Sequence, residues 1–175
     1  KSGDDYLNII RSNFKINNST FKTSLFDAFD SDFSNGVISD VVIQEAGNDA
    51  LDFSGSEVTI DNILVNNVRD KALSVGEKSK VKISNSKIFN TKYGLVSKDY
   101  SKIIASKIEF KDVNFVAVAF QKKNEFGPSE IEIQNTSLEI KNDQYIVDNK
   151  SKIYLEDGKL LSNINTNLIK EIYSY

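Results

Sequence analysis

The chain is 175 residues long, carries 22 Lys+Arg against 25 Asp+Glu for a formal net charge of -3, and contains no His, Cys, Met or Trp. Those absences exclude a disulfide framework, a thiolate nucleophile, a Cys or His metal site and any Ser-His-Asp triad drawn from this chain alone. With Arg11 and Arg69 as its only arginines and a mildly acidic balance, it lacks the clustered basic surface that nucleic acid requires, and no apolar run approaches the ~20 residues of a membrane span. A hydrophobic content of 39% is that of one folded domain rather than a disordered chain.

From the N-terminus onward the sequence repeats itself. The opening "GDDYLNI" already matches "GNDALDF" further along, so the chain is expected to begin in mid-unit, as a piece of a longer protein. Ser12, Ser34, Ser56, Ser79, Ser101, Ser129 and Ser151 follow at spacings of 22, 22, 23, 22, 28 and 22. Two residues after each stands Phe14, Gly36, Val58, Val81, Ile103, Ile131 or Ile153, and two further on Ile16, Ile38, Ile60, Ile83, Ala105, Ile133 or Leu155. Alternation with period two in Val, Ile and Phe, punctuated by Gly, Ser, Asn and Asp, is the signal of short strands joined by turns. Units of ~22 residues are too short for helical repeats, and the leucine-rich consensus is missing. The solution left is a coil of three short strands, stacked at ~4.8 Å per coil into an all-β solenoid.

Two places depart from the period. The 28-residue interval leaves an insertion around Gln121–Pro128, "QKKNEFGP", which holds the chain's one Pro and is expected to project from a face. Near the C-terminus, Asn165 can cap "TNLIKEIYSY", whose Leu168, Ile169, Ile172 and Tyr173 share one helical face. A short helix over residues 162–175 is therefore expected to cover the last coil and its open strand edge, with the solenoid occupying 1–161.

In its repeat pattern, carried by stretches such as "GNDALDFSGSEVTIDN" and "KVKISNSKIFNTKYGL", the chain resembles the right-handed parallel β-helix proteins, a superfamily including pectate lyases, polygalacturonases, alginate epimerases and phage tailspikes. The resemblance spans nearly the whole chain and implies a right-handed parallel β-helix of about seven coils, on a secreted or cell-surface protein outside the cytoplasm. It implies no activity by itself: the Asp-Pro-His-Asp motif of the epimerases and the Gly-His-Gly and Arg-Ile-Lys motifs of the polygalacturonases are absent.

Three groups of residues carry candidate chemistry. The serine column has no imidazole to activate it, and reads as turn hydroxyls bonding nearby backbone; the column Asn18, Asp40, Asn62, Asn85, Lys107, Asn135, Asp157 reads as a turn ladder. The second group is acidic. Asp27 and Asp49 share one column with Asp5, and Asp30 and Asp52 share the next, so equal register stacks their carboxylates about one coil apart. Unit charges ~5 Å apart repel by about 3 kcal/mol at an effective dielectric of 20. Compensation can come from turn amides with Lys71 and Arg69, or from Ca²⁺ held by Asp27, Asp30, Asp49 and Asp52; alternatively these acids, with Lys71, Arg69 or Lys98, serve as catalytic groups of a polysaccharide lyase or glycoside hydrolase. The third group, Tyr93, Lys98, Asp99, Lys122, Lys123 and Glu125, forms a mixed-charge face suited to an anionic sugar or a protein surface. The expected function is thus a non-catalytic module binding polysaccharide or a surface partner. The alternatives are a Ca²⁺-assisted lyase, hydrolase or epimerase, and a rigid spacer within a longer surface protein.

Overall fold

A computed structural model describes residues 5–136, 141, 143–156, 158, 160–161, 169 and 172. They form a parallel β-solenoid of about six turns, built from β1 (Asn8–Ile10), β2 (Asn13–Ser24), β3 (Phe29–Asp32), β4 (Asn35–Ala46), β5 (Leu51–Ser54), β6 (Glu57–Gly76), β7 (Lys80–Lys98), β8 (Lys102–Phe120), β9 (Glu130–Gln134), β10 (Tyr145–Val147), β11 (Lys152–Leu155) and β12 (Leu160–Leu161). Every pairing is parallel except β11 with β12.

Each turn has three faces and three corners. The first face passes through residues 13–17, 35–39, 57–61, 80–84, 102–106 and 130–134, and the third through 8–10, 30–32, 52–54, 74–76, 96–98 and 118–120. The corners are positions of positive φ that recur from turn to turn. One column is Asn18, Asp40, Asn62, Asn85, Lys107 and Asn135; a second is Thr23, Glu45, Asn67, Asn90 and Asp112; a third includes Arg11, Phe33, Gly55, Glu77 and Asp99. Asn and Asp tolerate this left-handed conformation best among residues with a Cβ, which explains their hold on the first column. The expected ladder there is partial: Asn62 Nδ2 donates to Asp40 Oδ1 at 2.6 Å, whereas Asn85 Nδ2 reaches Asp61 Oδ1 at 2.7 Å. Asp157 lies outside the described residues.

The serine column is a buried ladder. The N–H of Ser12, Ser34, Ser56, Ser79 and Ser129 donates to the Oγ of Ser34, Ser56, Ser79, Ser101 and Ser151, one turn on, at 2.9–3.1 Å. Several of these hydroxyls donate in turn to backbone carbonyls, Ser79 to Gly76 at 2.6 Å and Ser129 to Ser97 at 2.7 Å. Both functions of the hydroxyl are used in satisfying backbone that the corner leaves unpaired, which is why Ser recurs there and why it is not a row of nucleophiles. Inside, rungs of Val, Ile, Leu and Phe stack in line. Phe29 and Phe53 are fully buried with ring centroids 6.0 Å apart, and Phe14 lies over Gly36, where a Cβ would come within 2.2 Å of the ring.

Two expectations are corrected. The chain makes about six turns, not seven, because β12 folds back antiparallel on β11, pairing Ile153 with Leu161 and ending the coil. Of the expected cap helix, only Ile169 and Ile172 are described. Both are helical, yet they pack on the outer side of the third face, against a cluster of Tyr93, Val96, Val118, Phe120 and Ile146. They cover a flank of the solenoid, whereas the end of the last coil is met by β12. The insertion falls between β8 and β9, as its spacing predicts.

Candidate functional site

The outer side of the third face changes character along the solenoid axis. One column runs Asn8, Asp30, Asp52, Ser74, Val96, Val118, Ile146, and its neighbour runs Ile10, Asp32, Ser54, Gly76, Lys98, Phe120. The first turns are therefore acidic, the middle turns present Ser74 and Lys98, and the last are apolar and covered by Ile169. At the corner leading onto this face stand Asp27 and Asp49, then Lys71, Tyr93 and Phe115.

The corner acids are bound up in structure. Asp27 Oδ1 accepts from Asn48 Nδ2 at 2.7 Å and from the Asp49 N–H at 2.8 Å. Asp49, 2% exposed, accepts from the Lys71 N–H at 3.1 Å and from Lys71 Nζ at 3.3 Å, and Lys71 also pairs with Asp70. Burial works against the Lys71 ammonium, but Asp49 and Asp70 hold it above its ordinary pKa. This geometry favours turn capping with Lys71 as the counter-charge. Arg69 takes no part: it is exposed and lines a separate depression of about 470 Å³ with Leu25, Phe26, Asn48, Asp70 and Lys92.

The carboxylates on the face itself are less committed. Asp30 Oδ2 accepts from Asn8 Nδ2 at 2.6 Å. Burial, with Asp32 and Asp52 close by, pushes the Asp30 carboxyl up to about 7, and burial also raises Asp32. Asp52 Oδ1 is a buried oxygen without a hydrogen-bond partner among the described residues. Of the four expected metal ligands, Asp27, Asp49 and Asp52 each bring a carboxylate oxygen within 4.8 Å of the others; Asp30 is not of this group, and the Lys71 ammonium already occupies Asp49.

Asp30 implies a pH dependence. Its pKa rises on folding from 3.8 to about 7, so its contribution to stability is complete below about 4 and is lost as pH rises through about 7. Thermal denaturation should accordingly give a higher midpoint at pH 5 than at pH 8. Asp30→Asn should flatten that slope by about 1 kcal/mol, once solvent screening of a partly exposed group is allowed for.

The insertion supplies the other side of the site. The Lys122 and Lys123 N–H groups both donate to Asp99 Oδ1 at 2.7 Å, and Asp99 is 1% exposed. Gln121 Nε2 closes the loop on the Phe126 carbonyl at 2.6 Å, and Tyr100 lies over Gly127, where a Cβ would come within 2.2 Å of the ring. Lys123 pairs with Glu77, and the ammoniums of Lys78 and Lys123 lie 5.8 and 6.0 Å from the Phe126 ring centroid. Thus held, the loop brings Lys122 over the third face. Although Lys122 is exposed, the desolvation it does suffer and the nearby ammoniums of Lys98, Lys71 and Lys123 hold its pKa below the ordinary lysine value, with Asp52 pulling the other way. Lys98 crosses Gly76 and donates to Ser74 Oγ at 2.8 Å.

The residues expected at a mixed-charge binding face therefore divide. Lys98 and Lys122 converge beside Asp52 and Ser74. Tyr93 is buried, its ring 5.5 Å from Phe115 under the flank cluster, and Asp99 is a buried anchor; neither faces solvent. Lys123 is engaged by Glu77, and Glu125 stands exposed on the loop. Ser74 escaped the sequence reading, although it continues the Asp30–Asp52 column by one turn.

These features define a class, a parallel β-solenoid with a charged lateral strip bordered by an anchored loop. Comparison with protein-family models, curated proteins and solved structures finds no match.

Proposed function

We propose that the chain is a non-catalytic module that binds polysaccharide along the outer side of its third face, outside the cytoplasm and as part of a longer surface protein of the right-handed, pectate-lyase-like kind. The observation that carries this reading is the gathering of Lys98 and the exposed Lys122 beside the half-buried Asp52, with Lys98 held on the buried Ser74 hydroxyl. Such a strip offers charged donors and acceptors in line with the repeat of an extended polymer, and sugar hydroxyls hydrogen-bond well to both. Acidic glycans fit best, since two ammoniums stand together where the loop overhangs. Calorimetric titration with an acidic polymer such as polygalacturonate should show binding that weakens at least tenfold in Lys98→Ala/Lys122→Ala. Equal binding by that variant, or no binding to any of a broad panel of glycans, would count against the proposal.

A second reading, a Ca²⁺-assisted lyase, hydrolase or epimerase, is favoured by one observation. Asp30, with its carboxyl near 7, stands one turn from the Asp52 carboxylate, a pairing suited to acid and base roles. It requires new reducing or unsaturated ends when acidic polymers are incubated with the protein and Ca²⁺, abolished by Asp30→Asn; no turnover under those conditions removes it.

A further inference from the structure

The first face carries a charge pattern that neither the turn chemistry nor the glycan strip uses. Two of its outward columns, read along the axis, are Asn35, Glu57, Lys80, Lys102, Glu130, Lys152 and Lys15, Val37, Thr59, Lys82, Ile104, Glu132, Tyr154, Leu160; the third, Ser39, Asp61, Ser84, Ser106 and Gln134, carries one charge. About the Lys102–Ile104 rung, each column is complementary to its own reversal. One turn out, Lys80 answers Glu130 and Lys82 answers Glu132. Two turns out, Glu57 answers Lys152 and Thr59 answers Tyr154. Three turns out, Val37 answers Leu160, and these are 42% and 48% exposed, two of the large apolar side chains left in solvent.

A face with this property fits a second copy of itself. A twofold axis lying in the interface along the Lys102–Ser106 strand keeps positions along the strand in place. It reverses the order of turns, so every pair above meets across the interface. We propose that two copies of the chain associate through their first faces with solenoid axes antiparallel. Ile104 and Lys102 of each copy then sit on the axis against their mates, each Lys102 ammonium held by Glu130 and Glu132 of its own chain. Lys80 and Lys82 are exposed and hold no ion pair among the described residues, whereas Lys102 is shared between Glu130 at 2.7 Å and Glu132 at 2.6 Å, leaving those two carboxylates in excess of their cation. The partner's Lys80 and Lys82 supply the missing charge.

The patch measures roughly 30 Å by 16 Å from coil and residue spacings, or about 1,000 Å² over both copies, the low end for a specific interface. The association is therefore weak and governed by charge. Sedimentation equilibrium of the full chain should show a monomer–dimer equilibrium whose dissociation constant rises at least tenfold between about 0.02 M and about 0.5 M salt. Lys80→Glu/Lys82→Glu and Glu130→Lys/Glu132→Lys should each be monomeric alone and form a one-to-one heterodimer when mixed, because the reversed charges meet again across the axis. As a check independent of those variants' folding, Ile104→Cys, the only thiol in the chain, should be joined into dimers by a short bis-maleimide. Lys87→Cys, exposed on the face through residues 86–89 and 108–111 that lies between the first and the third, should not be joined. A wild-type chain monomeric at low salt and high concentration, charge variants that dimerise like wild type, or a mixture that stays monomeric would each overturn the proposal.

Discussion

Phe53→Ala is expected to lower the free energy of unfolding by about 3–5 kcal/mol, read as a fall in the urea midpoint. Phe53 is fully buried, its ring 6.0 Å from that of Phe29 one turn below, and Phe29 in turn packs 5.3 Å from Phe14. Truncation removes a large apolar side chain and leaves a cavity that strands hydrogen-bonded on both sides cannot close. Stability in a solenoid is close to a sum of turn and interface contributions, so the loss should be felt first in the turns containing Phe29 and Phe53. Hydrogen exchange in β3 and β5 should accelerate more than in β8. Phe53→Leu, nearer in volume, should cost about 1.5 kcal/mol or less.

Asp99→Ala should cost about 2–3 kcal/mol and abolish glycan binding even though Lys98 and Lys122 are untouched. One buried carboxylate oxygen accepts both the Lys122 and Lys123 N–H groups at 2.7 Å, and charge-assisted bonds of this kind contribute roughly 1.5–3 kcal/mol. Its φ of 56° adds a second constraint, since alanine adopts that conformation poorly and asparagine readily. Asp99→Asn keeps an acceptor and the backbone preference, and should retain most of the stability and part of the binding. Urea denaturation and calorimetry on the two variants distinguish an anchoring role from a direct contact with ligand. Asp99→Asn indistinguishable from Asp99→Ala in stability would contradict the anchoring account.

What could be read in the sequence was what the repeat itself dictates. The period located the serine ladder, the left-handed Asn and Asp corner and the insertion, because each is set by backbone geometry recurring once per turn. The same register aligned Asp30 with Asp52, which alternation within the strand sets outward beside the inward Phe29 and Leu51. Parity does not say whether an outward residue meets solvent. Tyr93 points outward by register yet lies beneath a flank cluster that includes Ile169, a residue far away in sequence. Asp99 looked like a surface charge because nothing local distinguishes a corner acid capping a distant loop from one facing water. The acidic stack was visible as a column with Lys71 as its counter-charge, but the period alone does not tell that Lys71 engages Asp49 and Asp70 while Arg69 stays apart and Asp30 and Asp52 remain on the face. Nor could the sequence tell that the last unit folds back as β12 instead of completing another turn.

The sharpest test of the account is hydrogen exchange of the whole chain with and without a saturating acidic polysaccharide. Glycan bound along the third face should slow exchange only at residues 30–32, 52–54, 74–76, 96–98 and 121–123, leaving the first face unchanged. Protection centred on the first face, or binding with no protection along the third, would contradict it.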